Sequence, residues 1–227
     1  MNKPKQVLVV VAHSDDETLG MGGAIAQHVR QGDTVNVVSM TNGVSARGEK
    51  LENEIKVRNK CASKASEVLG FNWIDSYNFD DNAMDGYPLL DVIKCIEASK
   101  SKVKPDMVYT HSGADLNVDH RVVANAVLTA FRPEPNEKCS EIRLFEVPSA
   151  TDFGHESLTG LFKPNLFIDI SSTWKEKEVA LNAYHDEIRL YPHSRSIEAI
   201  KNLACLRGSQ VGVSMAESFQ VIRKIER

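Results

Sequence analysis

The chain has 227 residues, a formal net charge of −4, 42% hydrophobic and 26% charged residues, the proportions of a soluble globular protein long enough to bury a sizeable core. The mild negative charge excludes the basic footprint of a nucleic-acid or anionic-membrane binder, and no apolar run approaches the roughly 20 residues of a membrane span, so no membrane insertion is expected. Met1 to Gln6 leads straight into an apolar stretch that ends at Ala12; it lacks the longer apolar core and cleavage site of a signal peptide, and a cytoplasmic location is expected.

Val7 to Val11 is a continuous β-branched and Leu run, the sign of a strand buried on both faces. Thr18 to Gln31 has Leu19, Ala24, Ile25, Ala26 and Val29 at helical spacing, Gly32-Asp33 makes a turn, and Thr34 to Met40 reads as a second strand. A polar loop from Thr41 to Gly48 leads into a long charged helix, Glu49 to Leu69. A strand near Trp73 to Phe79 follows, then an Asp- and Asn-rich loop and a helix over Leu89 to Lys102. Met107 to Thr110 is a short buried strand and Asp119 to Phe131 a helix. Strands are expected near Ile142 to Glu146 and Leu166 to Ile170, and the final helix over Ser196 to Leu206. Thr173-Trp174-Lys175-Glu176 has the spacing of a capping box. This alternation predicts a Rossmann-like three-layer α/β/α sandwich around a mostly parallel sheet. Without repeats or a linker, one domain over residues 1–227 is expected; a homo-oligomer is compatible with the sequence. The four cysteines, Cys61, Cys95, Cys139 and Cys205, are far apart and contain no C-x-x-C pair, which argues for reduced, small apolar side chains.

In such sheets ligands bind beyond the carboxyl ends of the strands. Two clusters of metal-type residues fall there: Ala12-His13-Ser14-Asp15-Asp16-Glu17 after the first strand, and His111 to Arg121 after the Met107–Thr110 strand. A catalytic zinc takes three His or carboxylate ligands and leaves a position for water. A further carboxylate, not bound to the ion, is needed to move the proton from water to the leaving amine. Asp15 and Asp16 can divide these roles, since neighbouring side chains in an irregular loop diverge, and the spacing alone does not say which does which. Gly20-Met21-Gly22-Gly23 fails the dinucleotide fingerprint because residue 25 is Ile, and Gly43 to Arg47 misses the nucleophile elbow at its last position.

The chain resembles the LmbE/PIG-L zinc-dependent N-deacetylases. Ala12 to Glu17 matches their Ala-His-x-Asp-Asp-Glu motif, Val118 to Arg121 their x-Asp-His-Arg motif, and Leu19 to Gly23 their glycine-rich helix start. The resemblance implies one Zn²⁺ on His13, Asp16 and His120, with Asp15 as general base and Glu17 and Asp119 orienting the ligands. The implied reaction is removal of an acetyl or other acyl group from an amino-sugar-containing small molecule or conjugate. Arg47 matches a position that contacts substrate in relatives. Ser14 replaces a common proline. Asn117 replaces a second histidine, so it is taken as a neutral substrate-binding donor, with His111 or His193 as the other electrophilic group. The second motif is similar to a bacterial branch linked to surface-sugar and antibiotic-sugar pathways. Asp85, in the polar loop Asp80 to Asp85, and His193, in the loop Tyr191 to Arg195, are expected to bind the sugar, and Glu146 is expected at the rim. The competing readings are a two-metal phosphoesterase or other metallohydrolase, and a non-catalytic sugar-binding relative.

Overall fold

The computed structural model describes residues 3–44, 51–135 and 137–226. In chain order the elements are β1 (Gln6–Val11), α1 (Asp16–Arg30), β2 (Thr34–Thr41), α2 (Leu51–Leu69), β3 (Asn72–Phe79), α3 (Leu89–Val103), β4 (Met107–His111), α4 (Val118–Ala130), β5 (Glu141–Phe145), α5 (Glu156–Thr159), β6 (Leu166–Asp169), α6 (Trp174–Ala183), α7 (Ile197–Ser209) and β7 (Ala216–Lys224). They build one seven-stranded sheet in the order β3-β2-β1-β4-β5-β7-β6. β1 to β5 pair in parallel, whereas β7 runs antiparallel to both β5 and β6. The mostly parallel α/β sandwich expected from the sequence is thus present.

β1 sits at the centre because its alternate side chains serve two cores. Val7, Val9 and Val11 join α1, α2 and α6 through Ile25, Ala65, Leu69 and Leu181 on one face. Leu8, Val10 and Ala12 join α3 and α4 through Val92, Ile96, Val123 and Val127 on the other. Each of these β1 side chains is fully buried, worth about 1.5–3 kcal/mol apiece for the Val and Leu groups removed from water. The chain moves outward from β1 through β2 to β3, then returns to place β4 on the other side of β1. That reversal opens a crevice at the carboxyl ends of β1 and β4.

Two local expectations are corrected. The helix expected over Ser196 to Leu206 is present as α7, but an unexpected strand, β7, follows it, its start disguised by the buried polar pair Glu217 and Ser218. Thr173 precedes α6 without capping it through its side chain; its hydroxyl donates to the Gly23 carbonyl at 2.9 Å, so the capping box is not formed.

α1 bends at Met21, which leaves helical conformation at φ −148°, ψ 24°. The helix lies very close to the sheet. A Cβ built on Gly20 would stand 2.4 Å from the Phe145 ring and 2.9 Å from the Glu146 carbonyl oxygen, contacts no side chain tolerates. Gly20→Ala is therefore expected to destabilise the fold by about 1–3 kcal/mol, the scale of overpacking. Gly86→Ala, at a site with nothing within 4 Å, serves as control. Denaturant titration checks both, and equal stability of the two variants would contradict the packing described.

Candidate metal centre and active site

Because β1 and β4 are hydrogen-bonded neighbours, the loop after β1 and the start of α4 meet over the crevice. Three atoms converge there: His13 Nδ1 and Asp16 Oδ2 are 3.1 Å apart, His120 Nε2 lies 3.3 Å from Asp16 Oδ2 and 3.3 Å from His13 Nδ1. All three residues are buried, and together they form a group able to hold a metal ion. The two imidazoles are oriented from behind. Asp119 Oδ2 is 3.1 Å from His13 Nε2, and Asp115 Oδ2 is 3.0 Å from His120 Nδ1. With each rear nitrogen donating to a carboxylate, the front nitrogens present lone pairs toward Asp16, as metal-bound histidines require.

These donors fit a divalent cation. Two lone pairs and a carboxylate brought together without a positive charge repel one another, and Asp16 Oδ1 is buried with no hydrogen-bond partner. Without an ion, protons take that place. Burial by itself would lower His120, but Asp16 and Asp115 lift it to about 9. His13 is likewise raised against its burial by Asp119, Asp16 and Asp81. Burial would raise Asp16, yet the neighbouring imidazoles, His120 first, hold it well below the ordinary carboxylate range. A second group, His13 with Asp81 and Asp119, uses the other face of the same imidazole. Both groups cannot be filled at once unless His13 bridges two ions as an imidazolate, one on each ring nitrogen.

Asp15 points elsewhere. Its backbone adopts φ 155°, ψ −25°, a conformation costing about 1–3 kcal/mol for a residue with a Cβ. The cost is met by the start of α1: the Asp15 carbonyl accepts from the Thr18 and Leu19 N–H groups, and its own N–H donates to Glu17 Oε2 at 3.0 Å. This turn separates the two neighbouring carboxylates. Asp16 joins the imidazoles while Asp15 Oδ1 meets Arg58 Nη2 at 2.9 Å and Oδ2 meets Arg195 Nη1 at 3.4 Å. Glu187 completes a four-charge network, 2.5 Å from Arg58 and 3.5 Å from Arg195. Burial raises the Asp15 carboxyl above its usual value, against the pull of Arg58.

Of the residues expected from the sequence, His13, Asp16, His120 and Asp119 come together. Glu17 does not orient a metal-type side chain; it accepts from the Asp15 N–H, the Thr18 hydroxyl and the Tyr184 hydroxyl, and burial pushes it up to about 7. Asn117 commits its side-chain oxygen to the Asp119 N–H as the N-cap of α4. Asp85 is exposed, and it is Asp81 of the same loop that reaches His13, at 3.0 Å. His193 is exposed and takes the Arg195 N–H. His111 is fully buried, stacked on His120 at 3.9 Å. Its Nε2 accepts the Ala12 N–H, and burial together with His120 keeps it neutral. Glu146 pairs with Arg207 through both oxygens. Arg47 lies outside the described residues. Sequence reasoning missed Asp115, Asp81, Arg58, Glu187, Arg195 and Tyr184. Asp115, Asp81 and Arg195 lay in loops that the sequence singled out, without a role of their own; the other three carried no signal.

Two cavities are lined by residues next to the centre, Arg58 and Glu187 in one and Ser14 in the other, but by none of His13, Asp15, Asp16 or His120. One of about 320 Å³ is lined by Val44, Val57, Arg58, Tyr184 and Glu187. The other, about 580 Å³, begins at Ser14 and runs between α2 and β3 past Thr41, Asn42, Asn59, Trp73 and Asn78; no described residue lining it is charged.

The family profile described as PIG-L, GlcNAc-PI de-N-acetylase, matches residues 8–131, which include every residue of the convergent group. The chain belongs to the PIG-L family. It is similar to the 4-oxalmesaconate hydratase of Pseudomonas putida, 29% identical over 241 residues that cover 96% of this chain and 88% of the relative. It is 31% identical to the uncharacterized deacetylase YaiS of Escherichia coli over 153 residues, 65% of this chain and 77% of that one. Among solved structures, the N,N'-diacetylchitobiose deacetylase from Pyrococcus horikoshii has the same fold, with a TM-score of 0.76 and 23% identity over 96% of this chain and 84% of that chain. The proteins to which this chain is similar thus include some named as deacetylases and some named as hydratases.

The geometry places His120 Nε2 among the convergent donors and Asp115 behind its ring. His120→Ala is expected to abolish stoichiometric metal binding, and Asp115→Asn to weaken it by about 10–100-fold, as read by chelator competition with zinc. Unchanged affinity in both variants would place the ion elsewhere.

Proposed function

We propose that the protein is a zinc-dependent N-deacetylase acting on an amino-sugar-containing small molecule or conjugate. The observation that carries this reading is the separation of roles between adjacent carboxylates: Asp16 lies within 3.3 Å of two imidazole nitrogens, whereas Asp15 faces the Arg58–Glu187–Arg195 network. His13, Asp16 and His120 would hold the ion, the N/O set that zinc favours at catalytic sites. When bound, zinc supplies Lewis acidity to the acyl carbonyl and acidifies water.

The chain's own groups supply the remainder. Asp15 takes a proton from the attacking water as its oxygen bonds to the acyl carbon. It returns that proton to the nitrogen as the C–N bond breaks, so the amine leaves neutral and the acid leaves as the neutral carboxylic acid, whose remaining proton then passes to the free amine or to solvent. A carboxyl raised by burial suits both halves, since a base works best when its proton affinity lies near the operating pH. Arg58 and Arg195 hold its orientation. The described residues lining the cavity that begins at Ser14 offer hydroxyls, amides and the Trp73 ring, groups suited to a sugar, since polar groups fix orientation and an aromatic face covers the ring. A single shared imidazole between the two candidate metal groups favours one ion over the paired ions of a phosphoesterase.

A second reading, addition of water across the C=C bond of an unsaturated polycarboxylate, is favoured by the similarity to 4-oxalmesaconate hydratase along nearly the whole chain. The hydroxyls, amides and Trp73 ring among the described residues of that cavity favour the sugar. Two substrate panels separate the readings: N-acylated amino sugars and their nucleotide or lipid conjugates, assayed for free amine, and conjugated enoic polyacids, assayed for loss of ultraviolet absorbance. Amine release is expected. Turnover confined to the polyacids would overturn the deacetylase reading.

Asp15→Asn is expected to keep its zinc and lose about 10²–10⁴-fold in kcat, the scale of general acid–base assistance. Asp16→Asn is expected to lose the metal. Loss of zinc from the Asp15 variant alone would reverse the two roles.

A further inference from the structure

The hydrogen-bond ladder of α1 is cut by an ion pair brought from two other elements. In an uninterrupted α-helix the Leu19 carbonyl would accept from the Gly23 N–H. Both halves of that bond are taken by other partners: Lys177 Nζ of α6 donates to the Leu19 carbonyl at 2.9 Å, and the Gly23 N–H donates to Glu217 Oε1 of β7 at 3.0 Å. Lys177 and Glu217 close the gap with a 2.6 Å bond to each other. Glu217 Oε2 takes the Ala24 N–H as well, at 2.7 Å. A Cβ at residue 22 would stand 3.2 Å from Lys177 Cγ, so glycine there leaves the lysine stem its room. The break coincides with the non-helical conformation of Met21.

The polarity is matched at both ends of the break. The ammonium lies at the carbonyl end of the first helical segment and the carboxylate at the N–H end of the second, each sign favoured by the helix dipole. Lys177 and Glu217 are only 3% and 5% exposed. A buried pair of this kind is a poor device for stability alone, since apolar side chains of similar volume often do as well or better. Its effect on direction is specific. Asp16 lies five residues before Met21, about 7.5 Å along a helix axis at 1.5 Å per residue, so each 10° of bend moves it by about 1.3 Å. A metal site tolerates only about 0.2 Å in its ligand distances. The partner of Asp16 across the crevice, His120, is held independently by Asp115, and it does not follow such a movement.

We infer that the Lys177–Glu217 pair is a positioning device for the metal centre: inserted into α1, it sets the angle at which the first helical segment presents Asp16 to His13 and His120. The inference rests on the proposed reading of that centre as a metal site. Because β7 is antiparallel to β5, its first residues lie at the carboxyl ends of the parallel strands, which is how Glu217 reaches the helix that carries Asp16.

The test is the double variant Lys177→Met/Glu217→Leu, which keeps the volume and removes both charges, so that the Leu19–Gly23 bond can re-form. It is compared with wild type as the cobalt-substituted and the zinc-loaded protein. A folded double variant is expected to show an altered cobalt visible spectrum, at least 10-fold weaker zinc binding and at least 10-fold lower kcat with KM within about 3-fold. Ile96→Ala, a core change on the opposite face of the sheet, is expected to lower Tm without altering the spectrum, which separates positioning from mere loss of stability. If the double variant fails to fold, Glu217→Gln carries the test, since the amide keeps one acceptor and loses the ion pair; the same spectral change with a smaller loss of affinity is expected. A folded variant with wild-type spectrum, affinity and kcat overturns the inference while leaving the metal reading intact. Failure of the wild type itself to bind zinc or cobalt overturns the reading beneath it.

Discussion

One carboxylate oxygen ties the crevice together. Asp16 Oδ2 accepts the His13 N–H at 2.9 Å, stands 3.1 Å from the His13 ring nitrogen and 3.3 Å from that of His120. It thereby joins the β1 loop, the first turn of α1 and the first turn of α4. Such a concentration of lone pairs is unfavourable unless a cation or shared protons sit among them. The surrounding architecture can be understood as the means of keeping these atoms together despite their mutual repulsion. β1 supplies the fixed point, since its side chains are buried on both faces.

Around that point, each imidazole is anchored by a carboxylate that is itself anchored. Asp119 accepts the N–H groups of Asn82 and Met84, at 2.7 and 3.0 Å, so the loop after β3 is stitched to α4. Asp115 accepts the Thr151 hydroxyl at 2.8 Å, which brings in the loop after β5. Asp15 is held by guanidinium groups from α2 and from the loop before α7. The centre therefore draws on loops from most of the chain, and its charges are paired in depth rather than at the surface. Pairing of this type orients groups more than it stabilises the fold.

The clusters that hold His13, Asp16, Asp119 and His120 were legible because local pattern locates strand ends and helix starts; the roles of these four residues within them came from the family resemblance. Asp115 lies in the same second cluster, but its use as the support of His120 depends on a loop turn that composition does not specify. Arg58 is on the face of a charged helix, indistinguishable in sequence from its solvated neighbours. Its burial follows from the approach of Glu187, which is far along the chain. Glu17 belongs to the motif yet bonds backbone and Tyr184, because the unusual backbone at Asp15 turns it inward. β7 escaped notice since Glu217 and Ser218 interrupt its apolar pattern, and they are polar for reasons supplied by α1, α6 and Arg207–Glu146.

The sequence by itself determined the layered α/β plan and the position of the crevice with its two clusters of metal-type residues, since these follow from hydrophobic periodicity and from what stands at strand ends; the choice of His13, Asp16 and His120 within them came from the resemblance to the LmbE/PIG-L family. Tertiary structure decided which of two adjacent aspartates faces the imidazoles, which carboxylates stand behind them, and the bend that aims α1. Those outcomes depend on single hydrogen bonds and ion pairs between residues 100 or more positions apart, such as His13 with Asp119, Asp15 with Arg195, and Gly23 with Glu217. Periodicity carries no information about such pairs, because a buried charge and an exposed one look alike until the chain brings its partner to it.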